Sequence, residues 1–181
     1  MSPPLEPSCR LLLEAIAFAA RAHRHQVRKD NQTPYASHAF RVCLVLRDVF
    51  GVEDRLALTA AVLHDTIEDT TTDYDDLAER FGAAVAGWVA ALTKDKRLPE
   101  PAREEAYCRQ FAQAPWQVQV CKLADIFDNL MDLGHLRPDG RTWALARMRA
   151  YLDALRPHLA EQAKRPWEIV NRLLAEAEAK A

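Results

Sequence analysis

A chain of 181 residues, 49% hydrophobic and 28% charged, has the size of one domain and enough apolar side chain for a core, which excludes a disordered polypeptide. With only 5 Gly and an abundance of Ala, Leu, Glu and Arg, which lose little rotamer freedom in a helix, the composition favours an all-α fold and speaks against a β-sandwich. A formal net charge of −2 leaves no global positive field for nucleic acid or an anionic membrane surface, so an anionic ligand must be held by local groups.

Helical signals follow one another with short breaks and no internal repeat. Residues 1–7 are expected to be a disordered N-terminus, and 8–181 one compact multi-helix bundle. A first helix over 8–25 places Leu12, Ile16, Ala19 and Ala20 on one face; Glu14 interrupts its apolar run, so it does not read as a signal peptide. A polar loop over 28–35 carries Arg28 and Lys29. Ser37 is placed to cap a second helix over 38–50, which Gly51 ends. A third helix, opening at 52 or 53, runs through the apolar stretch 56–63 into His64 and Asp65. That stretch is far too short to span a bilayer.

Thr72 with Asp75 has the shape of a capping box, opening a short helix that stops at Gly82, and another helix covers 83–93. A charged loop over 94–101 precedes a helix over 102–113, and Pro115 stands where the next would start. Residues 138–140 read as a turn, followed by closing helices over 142–155 and 166–179. Cys9, Cys43, Cys108 and Cys121 form no C-x-x-C pair, which points away from a zinc ribbon or redox dithiol and makes the cytoplasm the expected compartment.

Three places could carry chemistry. A His-Asp pair at the end of an apolar helix is costly to bury unless something neutralises the carboxylate and uses the imidazole, which a metal would do; alone, such a pair more often sits at the helix edge. In the segment 122–132, Lys122, Asp125, Asn129 and Asp132 recur at i, i+3, i+7 and i+10, one polar stripe on a helix apolar on its other sides. The stripe is either a solvated face or the lining of a cavity. His38 opens a helix just after the two cations of the preceding loop. Together His38, His64, Asp65 and Asp125 supply two imidazoles and two carboxylates, a mixed donor set suited to Mn²⁺, Fe²⁺ or Zn²⁺ with positions open for water.

The order H…HD…D resembles the HD superfamily of metal-dependent phosphohydrolases. The likeness extends to Arg28-Lys29, Thr33-Pro34-Tyr35, Leu63-His64-Asp65-Thr66, Glu68-Asp69-Thr70 and Lys122-Leu123-Ala124-Asp125 with Asn129-Leu130. These look like the motifs of the RelA/SpoT hydrolase domain and its stand-alone small alarmone hydrolases. The resemblance implies an HD-domain bundle and Mn²⁺-dependent hydrolysis of guanosine 3′,5′-bis(diphosphate) at the 3′ position, releasing pyrophosphate and GDP or GTP. Carried over by position, His38, His64, Asp65 and Asp125 would hold one Mn²⁺ per chain, and Glu68 with Asp69 would be the acidic pair at the reaction centre. Arg28 and Lys29 would contact phosphate or base, and Asn129 the nucleotide; Arg147 and Tyr151, at i and i+4 on a late helix, match further positions. Lys96 could reach a diphosphate, or be a surface lysine. If the third helix persisted past Asp65, Glu68 and Asp69 would both face the metal; otherwise they would sit at its mouth.

The chain departs from the pattern at Ala39, where the family usually has Pro, at Asp128, where it has His or Tyr, and at Met131, where it has Arg. The stretch after Lys96 carries Glu100, Glu104 and Glu105 where relatives are often basic. The sequence offers no segment for a synthetase domain, so a stand-alone hydrolase is expected, with assembly into a homo-oligomer open. Two alternatives share the metal set: a phosphohydrolase acting on a nucleoside monophosphate or NADPH, and a nonenzymatic nucleotide-binding regulator. Retention of the Glu68-Asp69 pair speaks against the regulator, since acidic neighbours cost repulsion and gain most where a proton must move.

Overall fold

The structure is a computed structural model describing residues 6–180, which fold into helices with one isolated antiparallel bridge, Val27 to Pro34. The expectation of disorder at residues 1–5 lies outside the described residues, and Pro7 already stands in helix α1, Pro7–Ala22, where its missing N–H costs nothing. Helix α2, Ala36–Leu44, continues into a π-helical turn, Val45–Val49, ahead of Gly51 at φ 73°. Ser37 therefore lies inside the helix rather than capping it, and its Oγ has no hydrogen-bond partner. The start moves upstream because the bridge delivers Tyr35 already in helical geometry.

Helix α3, Arg55–Leu63, begins two or three residues later than expected, because Asp54 caps it by accepting from the amides of Leu56 and Ala57. It ends at Leu63 rather than running through the His-Asp pair. Asp65, at φ −100° and ψ 0°, breaks the path before a single turn, α4, Thr66–Asp69. The capping box is shifted by one residue: Asp73 caps α5, Tyr74–Phe81, and Asp76 returns the bond. Gly82, at φ 85°, stops α5 as expected and leads into α6, Ala83–Ala91. Helices α7, Glu100–Ala112, and α8, Trp116–Met131, open after Pro99 and Pro115.

The expected turn at 138–140 is instead the first turn of α9, Pro138–Leu155. Proline at the first helical position lacks an N–H that would be unsatisfied anyway, and Asp139 favours the positive helix end. Helix α10, Glu161–Glu178, likewise starts ahead of Pro166, which sits inside it. There tertiary packing overrides a local helix breaker, because Ala163, Pro166, Val170 and Leu174 form one buried stripe.

Helix α8 is the axis of the molecule, packing against α2, α3, α6, α7, α9 and α10. Residues 118–124 of this helix are all buried, Gln119 and Lys122 included. The Gln119 amide bonds the carbonyls of Ala112 and His158 and accepts from the Ala160 amide, so it closes the ends of α7 and α10. Helix α3 is the second buried element, buried throughout from Ala57 to Leu63 and covered by α1, α2, α6 and α8. The two most buried helices thus bring their polar residues, His64-Asp65 and Asp125, to one place. No helix among the described residues is long and apolar enough to cross a membrane.

Candidate metal centre and nucleotide cavity

His38 on α2, His64 and Asp65 at the end of α3, and Asp125 in the middle of α8 converge. His38 Nε2 lies 3.3 Å from Asp125 Oδ1 and 3.6 Å from Asp65 Oδ2. His64 Nε2 lies 2.9 Å from Asp65 Oδ2 and 3.9 Å from Asp125 Oδ1. One donor atom from each of His38, His64 and Asp65 lies within 4.8 Å of the others, and Asp125 closes the group from the opposite helix.

Both imidazoles aim Nε2 at this group. His64 Nδ1 donates to the Ala61 carbonyl at 2.9 Å, and His38 Nδ1 meets Asp128 Oδ2 at 2.6 Å, so in each ring the proton belongs on the far nitrogen. The buried Nε2 of His64 has no hydrogen-bond partner, even though Asp65 approaches it closely. An orphaned buried nitrogen beside carboxylates that do not align to bond it is the arrangement of ligands awaiting a cation. The donor set fits a divalent metal ion.

The electrostatics agree. Burial alone would raise the Asp65 carboxyl, but the His64 and His38 imidazoles overcome it and hold it well below the usual range. At Asp125 the same cost is outweighed by Lys122, His38 and His64. Burial opposes charge on His38, yet Asp125, Asp128 and Asp65 raise its imidazole to about 10. A cation entering among these groups competes with that proton.

A cavity of about 250 Å³ opens onto this centre. It is lined by the cations Arg28, Lys29, Lys94, Lys122 and Arg147 and by the carboxylates Asp65, Glu68 and Asp125, with Asn129, Tyr35, Tyr107 and Tyr151 among them. Lys122 Nζ is 2.8 Å from Asp125 Oδ2 and 4.5 Å from the centre of the Tyr151 ring, so a buried ammonium is held by a carboxylate and an aromatic face. Lys94 pairs with Glu104 at 2.8 Å, and Tyr151 donates to the same carboxylate. Glu104 is thereby neutralised rather than opposing an anion in the cavity.

The loop that carries Arg28 and Lys29 is closed by the Arg28 amide on the Thr33 carbonyl and by Asp30 accepting from the amides of Gln32 and Thr33, with Asn31 at φ 59°. Arg28 is buried: its guanidinium meets Asp132 at 2.7 Å and donates to Asn129 Oδ1 at 3.2 Å. Asn129 in turn donates to Asp125. The ammonium of Lys29 is pushed below its ordinary value by burial and by Arg28 and Arg147 beside it. Like charges crowded at one mouth cost free energy that an anion would relieve.

Of the residues singled out in the sequence, His38, His64, Asp65, Asp125, Glu68, Arg28, Lys29, Asn129, Arg147 and Tyr151 line this centre or its cavity. Asp69 and Lys96 do not line it. The break at Asp65 turns Asp69 outward, where it pairs with Lys96 at 2.9 Å, and Lys96 also donates to the Glu68 carbonyl. Lys94, Arg41 and Tyr107 were not singled out for the site. Lys122 and Asp132 were visible only as members of the polar stripe. Nothing local marks Arg41, which reaches Asp128 across 87 residues of chain.

Comparison with known proteins places this arrangement. An HD-domain family matches residues 15–151, which hold every residue of the centre. The chain is 40% identical over 167 residues to guanosine-3′,5′-bis(diphosphate) 3′-pyrophosphohydrolase MESH1 of Homo sapiens, covering 92% of this chain and 89% of that one. It is 34% identical over 142 residues to the bifunctional (p)ppGpp synthase/hydrolase SpoT of Escherichia coli, covering 75% of this chain and 20% of that one. A solved structure described as a metazoan ortholog of SpoT that hydrolyzes ppGpp superposes with a TM-score of 0.79 at 29% identity, covering 94% of this chain and 97% of that one. Two imidazoles and two carboxylates meeting where α2, α3 and α8 cross, within a match that spans most of the sequence, make this chain a member of the HD-domain family.

Proposed function

We propose that the chain is a (p)ppGpp 3′-pyrophosphohydrolase of the cytoplasm, dependent on Mn²⁺, that releases pyrophosphate and leaves GDP or GTP. The observation that supports it best is the join between the four-ligand centre and a cavity lined by five cations, since a nucleotide with two diphosphates needs both. The MESH1 relative, named for this activity, matches 92% of this chain over 89% of its own length.

His38, His64, Asp65 and Asp125 would hold the ion, with Fe²⁺ or Zn²⁺ as substitutes. When bound, a divalent ion lowers the pKa of a water and polarises a phosphoryl oxygen. The protein's own groups do the rest. Glu68, facing the cavity with a carboxyl that burial raises above its ordinary value, is placed to accept a proton from the attacking water. Lys29 and Arg147, which make no ion pair among the described residues, bind the phosphates; Asn129 and Arg28 hold the nucleoside side. Tyr35 donates to Asp65 and orients it. Asp69 and Lys96 close the outer wall next to Glu68 rather than touching the reacting atoms.

³¹P NMR of Mn²⁺-loaded protein mixed with ppGpp tests this, with Asp65→Ala as control and nucleoside monophosphates and NADPH in parallel. Free pyrophosphate with GDP, absent in the control, is the expected result. Orthophosphate released only from the monophosphates or NADPH would overturn the substrate assignment, and full activity in Asp65→Ala would overturn the centre itself.

A further inference from the structure

We propose that Asp128 is a positioning residue for the metal centre: clamped by Arg41, it holds the His38 imidazole in the ring orientation and tautomer that aim Nε2 at Asp65 and Asp125. The inference rests on the reading of His38 as a ligand. It concerns one of the positions at which this sequence leaves its family's pattern.

The chain of contacts is short and buried. Asp128 Oδ2 lies 2.6 Å from His38 Nδ1, and both residues are almost wholly inaccessible. Arg41 grips the same carboxylate with both prongs, Nε to Oδ1 at 2.7 Å and a terminal nitrogen to Oδ2 at 2.9 Å. Arg41 also reaches Asp132 at 3.1 Å, and Asp132 is the partner of Arg28. Helix periodicity sets the geometry: His38 and Arg41 are three residues apart on α2, and Asp125 and Asp128 are three apart on α8. One helix pair therefore carries a ligand and its support on each side.

The arrangement has a specific consequence for metal binding. An imidazole bound through Nε2 needs its proton on Nδ1 and its ring held against rotation about χ2, a torsion that is otherwise broad. A carboxylate acceptor does both and adds negative charge that makes the ring a better donor. His64 is oriented differently, by the neutral carbonyl of Ala61. The charged support is thus confined to His38. The resemblance places His or Tyr at position 128, neither of which supplies this charge together with an acceptor for Arg41. Asp128 alone would be a buried carboxylate of high cost; the bidentate arginine offsets that cost and fixes the carboxylate's direction.

The test titrates Mn²⁺ into the metal-free full chain and follows free Mn²⁺ by its six-line EPR spectrum. Asp128→Ala should weaken Mn²⁺ affinity by about 10- to 100-fold. Asp128→Asn still accepts the Nδ1 proton but lacks the charge, so its affinity should fall between wild type and Ala. Arg41→Gln, at a side chain 41% exposed, touches no ligand and should weaken affinity by a smaller factor. Circular dichroism and thermal midpoints of the metal-free variants report folding separately, and a merely structural role would change these while leaving Mn²⁺ affinity of the folded protein unchanged. Equal affinity in wild type, Asp128→Asn and Asp128→Ala overturns the inference and leaves the metal centre standing. Mn²⁺ binding that Asp65→Ala does not affect overturns both.

Discussion

The backbone amide of Lys94 donates to Glu68 Oε2 at 3.0 Å, tying the loop after α6 to the one-turn helix α4. That bond fixes the carboxylate at the cavity wall. Burial raises the Glu68 carboxyl above its ordinary value, the Lys94 amide pulls it down, and Asp65 pushes it up again. Glu68→Gln should lower turnover by about 10²- to 10⁴-fold while the protein keeps its metal, measured by pyrophosphate release and metal analysis. The sign of the pH effect follows. A carboxyl that holds its proton more tightly when folded stabilises the fold at low pH and loses that contribution as pH rises through the raised pKa. Metal-free Glu68→Gln should therefore gain stability relative to wild type above that window and not below it. A stability difference that does not change with pH would count against this account.

Arg28 is a structural partner as much as a substrate contact. Its guanidinium is buried against Asp132 at 2.7 Å, and Arg41 shares that carboxylate. Arg28→Ala should raise KM and also cost about 1.5–3 kcal/mol of stability, the range for hydrogen bonds to charged groups, because Arg41 still compensates part of Asp132. Urea denaturation of Arg28→Ala, Asp132→Asn and the double variant would show it: the double variant should cost less than the sum of the singles. Additive losses would mean that the pair is not coupled.

The sequence made the all-α class legible through composition, and the centre legible because its residues sit on strongly patterned helices. His64 and Asp65 stand out after seven buried residues of α3, and Asp125 stands out in a stripe on an otherwise apolar α8. Helix ends were less legible, since they depend on partners distant in sequence or on one capping bond. Asp54 set the start of α3, and the burial of Pro166 against the bundle overrode its local meaning. Asp69 could not be separated from Glu68 by sequence, because one backbone break at Asp65 decides which of the two faces the cavity. Arg41 was illegible for the opposite reason: its partners Asp128 and Asp132 are on α8, far along the chain.

Arg147 lines the cavity, stacks on Trp143 at 4.1 Å and makes no ion pair among the described residues. A cation without a carboxylate partner contributes little to the fold and much to the capture of an anion. Arg147→Ala should leave the thermal midpoint within about 2 °C, the shift that corresponds to about 0.5 kcal/mol in a chain of this size, and raise KM several-fold at low salt. The difference from wild type should shrink as ionic strength rises and the field is screened. A KM ratio independent of salt would place the role of Arg147 in packing against Trp143 instead.

Metal removal should expose the competition between proton and cation at His38. Its imidazole, raised to about 10 by Asp125, Asp128 and Asp65 against the cost of burial, gives the metal-free fold a contribution that is full below about 6.5 and lost as pH climbs toward that raised value. Binding a cation requires the unprotonated ring, so affinity should move in the opposite direction and increase with pH. Because a ligand at a hundred times its Kd adds about 2.7 kcal/mol, the rise in thermal midpoint caused by a fixed Mn²⁺ concentration should be several degrees and larger at pH 8 than at pH 6.5. Chelator-treated protein scanned with and without Mn²⁺ at the two pH values measures this directly. The same scans on Asp65→Ala should show no Mn²⁺ increment at either pH, and a Mn²⁺ increment equal at both in wild type would mean that no proton leaves His38 when the ion enters.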